Sequence, residues 1–377
     1  MAGKERVGDR YAMYNNNTFK LGLFGPNCSS GRAITKVAER WSGNWSDNLA
    51  LARMADGAGL DFLLPIGRWK GYGGETNYQG ETYETVTWAT GLLAATERIT
   101  VFATVHAPLL HPVFAAKQFV TADHISQGRF GLNIVCGWNE DEFKMFGATQ
   151  RDHEGRYEYG QEWIDVLRLI WERDEPFDFK GRHLKLEGVH SNPKPFGGMQ
   201  PLIMNAGASP TGQAFAVKNC DALFSTPRGA ETVEELAAGI QNVKTLAARQ
   251  GRKIEVYSVG VVTCKPTMKE AQNYHRQCII DDADWDAVDN ILAMKDISPE
   301  TIGIEAFERR RRHQAHGMGG IPIVGDPDFV VAEISRMAKA GIRGIGVSFV
   351  NYLDELPYFC DEVLPRLEQM GLREKRG

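Results

Sequence analysis

Two neutral hydrogen-bonding residues stand near the ends of consecutive β-rich runs of this sequence. Thr104 follows five residues after Ile99, where one run begins, and Asn133 follows three residues after Phe130, where the next begins. If the two runs are neighbouring parallel strands, both side chains lie at the carboxyl mouth of the same sheet. A hydroxyl and a carboxamide there can orient a reactant without acting as acids. The pair therefore predicts hydrogen-bonding groups at this edge of the sheet that can hold a neutral partner without adding a proton source.

Motifs of several other chemistries are missing. The sequence contains no HExxH, GxSxG or P-loop pattern and no cluster of histidines and cysteines. The glycine-rich turn at residues 71–74 does not open a helix, so it does not fit the dinucleotide fingerprint. His313 and His316 lie beside four arginines, a setting more typical of a solvated loop than of a metal pair. We therefore predict no metal site.

The charge balance and the cysteines exclude several classes of function. Basic residues number 43 and acidic residues 48, a net charge of −5, so nothing indicates binding to nucleic acid or anionic lipid. No apolar run approaches the roughly 20 residues that cross a bilayer. The amino terminus is polar, and the six cysteines lie far apart without a CxxC pair. These features predict a cytoplasmic protein with reduced thiols and no membrane partner.

Short β-rich runs alternate with amphipathic helical stretches along the chain. The first helix is predicted over residues 45–55, with Ser46 or Asp47 as its cap. Eight strand–helix units predict an α/β fold, a closed (β/α)8 TIM barrel that forms one domain over residues 1–377. An open, doubly wound sheet is the alternative, since periodicity does not show closure. The strands are predicted at residues 19–24, 61–66, 99–105, 130–136, 201–205, 222–225, 255–264 and 344–349.

The chain is longer than a plain barrel, which needs about 250 residues, so roughly 120 residues must be insertions. We place the first insertion at about residues 67–80, the middle one at 174–200 and the last at 281–325, all as loops at the active-site end. The middle insertion is predicted to contain a hairpin around Lys180 and Gly181. Long loops in a compact domain commonly form lids or binding surfaces.

The segment at residues 123–138, DHISQGRFGLNIVCGW, is the most distinctive of the sequence. SxGR ends a helix there, a strand follows at once, and an acidic run comes next. This pattern resembles that of the flavin-dependent, bacterial-luciferase-like monooxygenases, which are (β/α)8 barrels. The pattern looks closest to the pyrimidine monooxygenases and to the dimethylsulfone and alkanesulfonate monooxygenases. The resemblance extends over nearly the whole chain and includes residues 66–74, 102–104, 205–209 and 323–327.

The resemblance implies O2 and FMN, used as FMNH2, as cofactors. A phosphate anchor at a helix start, and a glycine that lets the backbone approach the ring, would hold the flavin. Thr104 and Asn133 match the pair that holds O2 at the flavin edge, and they are our predicted catalytic residues. At positions 67 and 68 the family often carries an apolar residue and a lysine, so this chain departs from it there. The positions that match flavin contacts are Gly67, Arg68, Asn133, Glu142, Arg156, Tyr157 and Ser209.

A small-molecule substrate would lie against loop residues at the barrel mouth. The arginines 309–312 either recognise an anionic substrate or form a solvated helix face. The candidates for substrate contacts are Trp69, Tyr72, His106, Trp138 and Arg228.

The leading hypothesis is a two-component monooxygenase that opens a uracil-like heterocyclic amide. A separate flavin reductase would supply FMNH2, so NAD(P)H would act only through that partner. The first alternative is cleavage of a C–S bond in a sulfone or sulfonate. Further alternatives are an F420-dependent reductase on the same barrel and a non-catalytic flavin-binding barrel. The resemblance also implies a homodimer or homotetramer.

Overall fold

A parallel sheet forms the centre of the protein. The computed structural model describes residues 12–224 and 233–375. The strands in these ranges are β1 (Lys20–Phe24), β2 (Phe62–Leu64), β3 (Thr100–His106), β4 (Phe130–Val135), β5 (Phe177–Lys180), β6 (Lys185–Val189), β7 (Leu202–Asn205), β8 (Ala222–Phe224), β9 (Glu255–Cys264), β10 (Ile321–Gly325) and β11 (Gly344–Ser348).

Helices follow most strands and cover the sheet. The α-helices of the described ranges are α1 (Trp45–Gly57), α2 (Thr85–Leu93), α3 (Pro112–Ile125), α4 (Glu140–Met145), α5 (His153–Glu172), α6 (Pro210–Asn219), α7 (Val233–Arg249), α8 (Met268–Arg276), α9 (Trp285–Ala293), α10 (Pro299–Ile302), α11 (Ile304–Ala315), α12 (Pro327–Lys339), α13 (Tyr352–Glu362) and α14 (Leu364–Gln369).

Eight of the strands close into a ring. Parallel pairings run in the order β1, β2, β3, β4, β7, β8, β9, β11 and back to β1. Strand β9 completes the closure, because Tyr257 pairs with Phe224 of β8 on one side and with Gly344 of β11 on the other. The predicted (β/α)8 barrel is therefore confirmed, and the alternative of an open sheet is wrong. Strand β10 lies outside the ring and pairs with the second half of β9.

Apolar side chains fill the inside of the barrel. Phe62 packs edge-on against Phe102 and Tyr257, with ring centroids 6.1 and 5.9 Å apart. Met13, from a short 3-10 helix before β1, belongs to the same buried cluster. The outer faces of the strands are buried under the helices, as in other parallel barrels. Because the interior is a packed core, polar functional groups must lie at the rim of the barrel.

The start of α1 shows how a cap sets a helix boundary. The side chain of Asn44 accepts a hydrogen bond from Asp47 N at 2.8 Å, so the helix begins at Trp45. Ser46 donates its hydroxyl to the same Asn44 oxygen. The predicted caps Ser46 and Asp47 are therefore wrong, because both residues lie inside the first turn.

The first and last insertions lie at the carboxyl ends of the strands and contact each other. Asp284 accepts hydrogen bonds from Thr76 N at 2.8 Å and Thr76 Oγ1 at 2.7 Å, and Asn290 Nδ2 donates to Tyr72 O at 2.9 Å. The last insertion contains α9, α10, α11 and β10, elements that the sequence patterns do not predict. The arginines 309–312 lie on α11.

The middle insertion lies at the other end of the barrel, so its predicted placement is wrong. It joins the end of α5 to the start of β7, and connections from a helix to the next strand lie at the amino ends of parallel strands. Strands β5 and β6 form the predicted hairpin around Lys180 and Gly181. The hairpin packs along α5, where Glu162 accepts hydrogen bonds from three consecutive backbone amides at 2.7, 2.9 and 2.9 Å.

Two kinds of feature are absent from residues 12–224 and 233–375. No helix there is long and apolar enough to cross a membrane. No three histidine, cysteine, aspartate or glutamate side chains in those ranges come close enough to hold a metal ion.

Candidate active site

The predicted catalytic pair meets at the carboxyl ends of β3 and β4. Thr104 and Asn133 are paired in register, both are buried, and Asn133 Nδ2 donates to Thr104 Oγ1 at 3.1 Å. The Thr104 hydroxyl donates to Pro65 O at 2.7 Å, so it must accept from Asn133, which fixes the orientation of the amide. Asn133 Oδ1 is buried without a hydrogen-bond partner. This oxygen and one amide hydrogen of Asn133 are therefore left for a bound molecule.

Gly67 follows β2, and the absence of a side chain leaves room for His106. A Cβ atom at position 67 would lie 2.9 Å from His106 Cε1 and 3.1 Å from the carbonyl oxygen of Thr104. A Cβ atom 2.9 Å from His106 Cε1 would be too close, so the imidazole would have to move. The departure from the family's apolar residue at this position therefore has a structural reason in this chain, which is the buried imidazole beside it.

Glu142, in the first turn of α4, is the centre of a buried polar cluster. Its Oε1 accepts hydrogen bonds from Arg68 Nη1 at 2.9 Å and Trp69 N at 2.8 Å, and its Oε2 lies 3.8 Å from His106 Nε2. Only 6% of the Arg68 side chain and 2% of the Glu142 side chain are exposed. Burial lowers the pKa of His106 to about 4 although Glu142 opposes this shift. The imidazole is therefore neutral at pH 7, and its contact with Glu142 is not an ion pair.

Aromatic side chains surround the Arg68 guanidinium. Its Cζ lies 4.6 Å from the ring centroid of Tyr72 and 5.6 Å from that of Trp138. Trp69 and Trp138 are 42% and 41% exposed, whereas Tyr72 is buried and its hydroxyl has no hydrogen-bond partner. Burial raises the pKa of Tyr72 to about 12, so the hydroxyl stays protonated. These predicted substrate contacts thus adjoin the Glu142 cluster, while Arg228 lies outside the described residues.

A second polar arrangement lies at the start of α6. Ser209 caps this helix by accepting a hydrogen bond from Gly212 N at 3.1 Å. A Cβ atom at Gly212 would lie 2.5 Å from Tyr157 Oη and 2.8 Å from Gly207 Cα, so two hydroxyl groups and a tight backbone turn meet here. Arg156 donates through Nη1 to a backbone carbonyl after β4, and its buried Nε has no partner. Hydroxyl groups and a free guanidinium N–H at a helix start fit a phosphate group.

Sequence patterns do not single out Arg32, which is buried in the loop after β1. Only 5% of the residue is exposed, and its Cζ lies 4.8 Å from the ring centroid of Phe24. One Nη atom donates to Gly317 O in the last insertion. The only signal in the sequence is a charged residue in a loop at the carboxyl end of a strand, where barrel enzymes carry their functional groups.

Comparisons with known proteins bear on the family. The family model described as luciferase-like monooxygenase matches residues 19–344. The pyrimidine monooxygenase RutA of Stutzerimonas stutzeri (strain A1501) is 34% identical over 359 residues, which cover 92% of this chain and 96% of that protein. The FMNH(2)-dependent dimethylsulfone monooxygenase of Pseudomonas fluorescens (strain Pf0-1) is 29% identical, covering 93% of this chain and 95% of that protein.

Solved structures agree with the closed barrel. The crystal structure of DmoA from Hyphomicrobium sulfonivorans superposes with a TM-score of 0.84 at 18% identity, covering 96% of this chain and 91% of that one. At this identity the likeness shows the fold, and the family follows from the sequence matches. The chain therefore belongs to the luciferase-like monooxygenase family, and the prediction of a monooxygenase is confirmed at the level of that family.

Proposed function

We propose that this enzyme is the oxygenase of a two-component system that uses FMNH2 and O2 to oxidise a small molecule. One oxygen atom of O2 enters the product and the other leaves as water, while FMNH2 becomes FMN. A separate flavin reductase regenerates FMNH2 from NAD(P)H, because this chain has no dinucleotide fingerprint of its own.

The observation that carries the proposal is the buried Thr104–Asn133 pair at the barrel mouth. Both side chains are neutral, and the adjacent His106 is neutral because burial lowers its pKa to about 4. The carboxylate of Glu142 is committed to Arg68 and Trp69 N. The site therefore offers hydrogen-bonding groups without a strong acid. The proposed reaction requires this, because protonation would divert the reactive oxygen species to hydrogen peroxide.

The residues present fit FMN. Ser209, Tyr157 and the start of α6 offer hydroxyl and backbone N–H groups to its phosphate, and the free Nε of Arg156 adds a charged donor. Asn133 Oδ1 is an acceptor that suits an N–H group of a flavin ring. Bound reduced flavin supplies the two electrons of the reaction. The protein's own groups hold it, exclude water and orient the reactants.

A uracil-like heterocyclic amide is the first candidate for the substrate. Tyr72 Oη is a donor and Gln79 Oε1 an acceptor, and both are buried without hydrogen-bond partners in the described structure. Tyr78 lies between the two side chains, because it stacks on Tyr72 and accepts a hydrogen bond from Gln79 Nε2 at 3.1 Å. An amide can satisfy both groups through its C=O and N–H. A sulfone or sulfonate, which offers acceptors only, is the second candidate. The names of the pyrimidine and dimethylsulfone monooxygenases among the relatives support one candidate each.

The proposal is tested by a single-turnover experiment with isotopically labelled oxygen. Enzyme loaded with FMNH2 is mixed with 18O2 and with uracil or dimethylsulfone, and products and hydrogen peroxide are quantified. We expect one 18O atom in the product of at least one substrate, with less peroxide than in its absence. If the protein neither binds FMNH2 nor incorporates 18O into either substrate, the proposal is wrong.

A further inference from the structure

Arg32 carries a buried charge that no carboxylate of residues 12–224 and 233–375 neutralises. It is 5% exposed, and within the described part of the chain no carboxylate forms a salt bridge with it. Among the described residues, Arg32 makes one side-chain hydrogen bond, to the carbonyl of Gly317, and its buried Nε has no partner there. Burying an unpaired charge is costly unless another group compensates for it.

The titratable groups that act most strongly on Arg32 are Tyr78, Tyr352, Tyr72 and Cys28. Burial raises the pKa of each of them far above neutrality, so none carries a negative charge under ordinary conditions. A guanidinium keeps its proton even where burial lowers its pKa, because that pKa starts far above neutrality. The titratable groups that act most strongly on the Arg32 charge are therefore all neutral.

The other buried arginines of the described residues are neutralised or fully bonded. Arg68 and Arg373 each pair with a buried carboxylate, at 2.9 and 2.6 Å. Arg129 donates through Nε and both Nη atoms to four acceptors. Within the described residues, a buried guanidinium is thus either paired with a carboxylate or hydrogen-bonded through all three nitrogens, and Arg32 has neither arrangement.

Arg32 also borders the candidate active site. The carbonyl of the preceding residue, Gly31, accepts a hydrogen bond from Tyr78 Oη at 3.3 Å. Tyr78 stacks on Tyr72 with ring centroids 6.0 Å apart, so Arg32 and Arg68 lie on either side of this pair of tyrosines. Arg68 stacks on Tyr72 at 4.6 Å and is already paired with Glu142. Arg32 would therefore balance the negative charge of an anion that enters this region. The Tyr72 hydroxyl would donate a further hydrogen bond to that anion.

We propose that Arg32 binds an oxyanion of the substrate, so that the enzyme acts on a small anionic molecule. The inference rests on the proposed function and narrows its substrate class. It selects the sulfonate over the neutral sulfone, and an acidic heterocyclic amide over uracil. The shared chemistry is a delocalised negative charge on oxygen, which a guanidinium recognises through two N–H groups.

Two matched pairs of probes test the inference by calorimetric titration into the FMN-saturated full-length protein. Methanesulfonate is compared with dimethylsulfone, and barbiturate with uracil, because each pair differs chiefly in charge. We expect the anion of one pair to bind at least about tenfold more tightly than its neutral counterpart. Arg32→Met should weaken binding of that anion by about 10- to 150-fold, the loss of a charge-assisted hydrogen bond, and leave the neutral probe unchanged.

Two variants control for indirect effects. Arg32→Lys keeps the charge and should retain part of the anion preference, which keeps the inference testable if Arg32→Met does not fold. Arg182→Met removes a cation that is 76% exposed, on the hairpin at the other end of the barrel, and should change nothing. The two anionic probes distinguish the two candidate substrate classes, because methanesulfonate is a sulfonate and barbiturate is an acidic heterocyclic amide.

The outcomes separate this inference from the proposed function. Binding of neither anion, equal binding within both pairs, or an anion preference that survives Arg32→Met would each overturn the role of Arg32. If the preference depends on Arg32 but no 18O enters any of the four probes, the anion site stands and the monooxygenase proposal fails. If 18O enters one of the probes but no anion preference depends on Arg32, the monooxygenase proposal stands and the role of Arg32 fails.

Discussion

Removal of the Glu142 carboxylate would leave the Arg68 guanidinium buried without a counter-charge. The two groups are 2.9 Å apart with 2% and 6% of their side chains exposed, and Glu142 also accepts from Trp69 N. Breaking a buried ion pair by removing one partner costs about 3–5 kcal/mol. We therefore expect Glu142→Ala to lower the free energy of unfolding by about 3–5 kcal/mol.

Two related variants separate the charge from the hydrogen bonds. Glu142→Gln keeps an acceptor for Arg68 and Trp69 N but removes the charge, so it should cost less than Glu142→Ala. Combining Glu142→Ala with Arg68→Met removes both charges, and the double variant should be more stable than the sum of the single losses predicts.

The assay is urea unfolding of the flavin-free protein, followed by tryptophan fluorescence and circular dichroism. Asp141→Asn is the matched control, because Asp141 is the preceding residue and its ion pair with Lys70 is exposed, at 42% and 54%. Such surface pairs contribute little, so the control should unfold almost as the wild type does. If Glu142→Ala shifts the transition no further than Asp141→Asn, the burial argument for this pair is refuted.

Three other perturbations probe the remaining parts of the site. Gly67→Val should destabilise the protein by about 1–3 kcal/mol in thermal melting, since its side chain would collide with His106, and adding His106→Ala should restore most of the loss. Ser209→Ala should weaken FMNH2 binding by about 10- to 150-fold in fluorescence titrations, whereas riboflavin, which has no phosphate, should bind as before. Thr104→Val and Asn133→Leu should keep FMN affinity within a few-fold but lower product formation by about 10²–10³ while peroxide release persists; coupled turnover by either variant would remove that residue from the catalytic pair.

The strands and the catalytic pair were accessible to sequence reasoning for local reasons. The runs around Ile99 and Phe130 are rich in β-branched and apolar residues, which favour buried strands. Once these are adjacent parallel strands, the positions of Thr104 and Asn133 follow from the strand direction, and the structure places them in register. Strand direction also predicts the position of the middle insertion. It connects a helix to the next strand, so it must lie at the amino ends of the strands.

Other features depend on contacts between distant segments, which no local pattern reports. Arg32 is buried because Gly317, 285 residues later, lies over the loop that follows β1. The pairing of Gly67 with His106 depends on the register of two neighbouring strand ends. The helices of the last insertion are stabilised by packing on the first, so their formation is a tertiary effect.

The hydrogen bonds from Thr76 to Asp284 and from Asn290 to Tyr72 O join the first and last insertions into one packed unit. A change in one of these insertions therefore requires a matching change in the other, whether it arises in evolution or by engineering. A chimera that receives the last insertion of a relative, but keeps its own first insertion, would lose these contacts beside Tyr72. Tyr72 would then be held less firmly in the candidate active site. We therefore expect the substrate range to change only when both insertions are exchanged together, whereas the hairpin of the middle insertion, which packs along α5, can vary without that constraint.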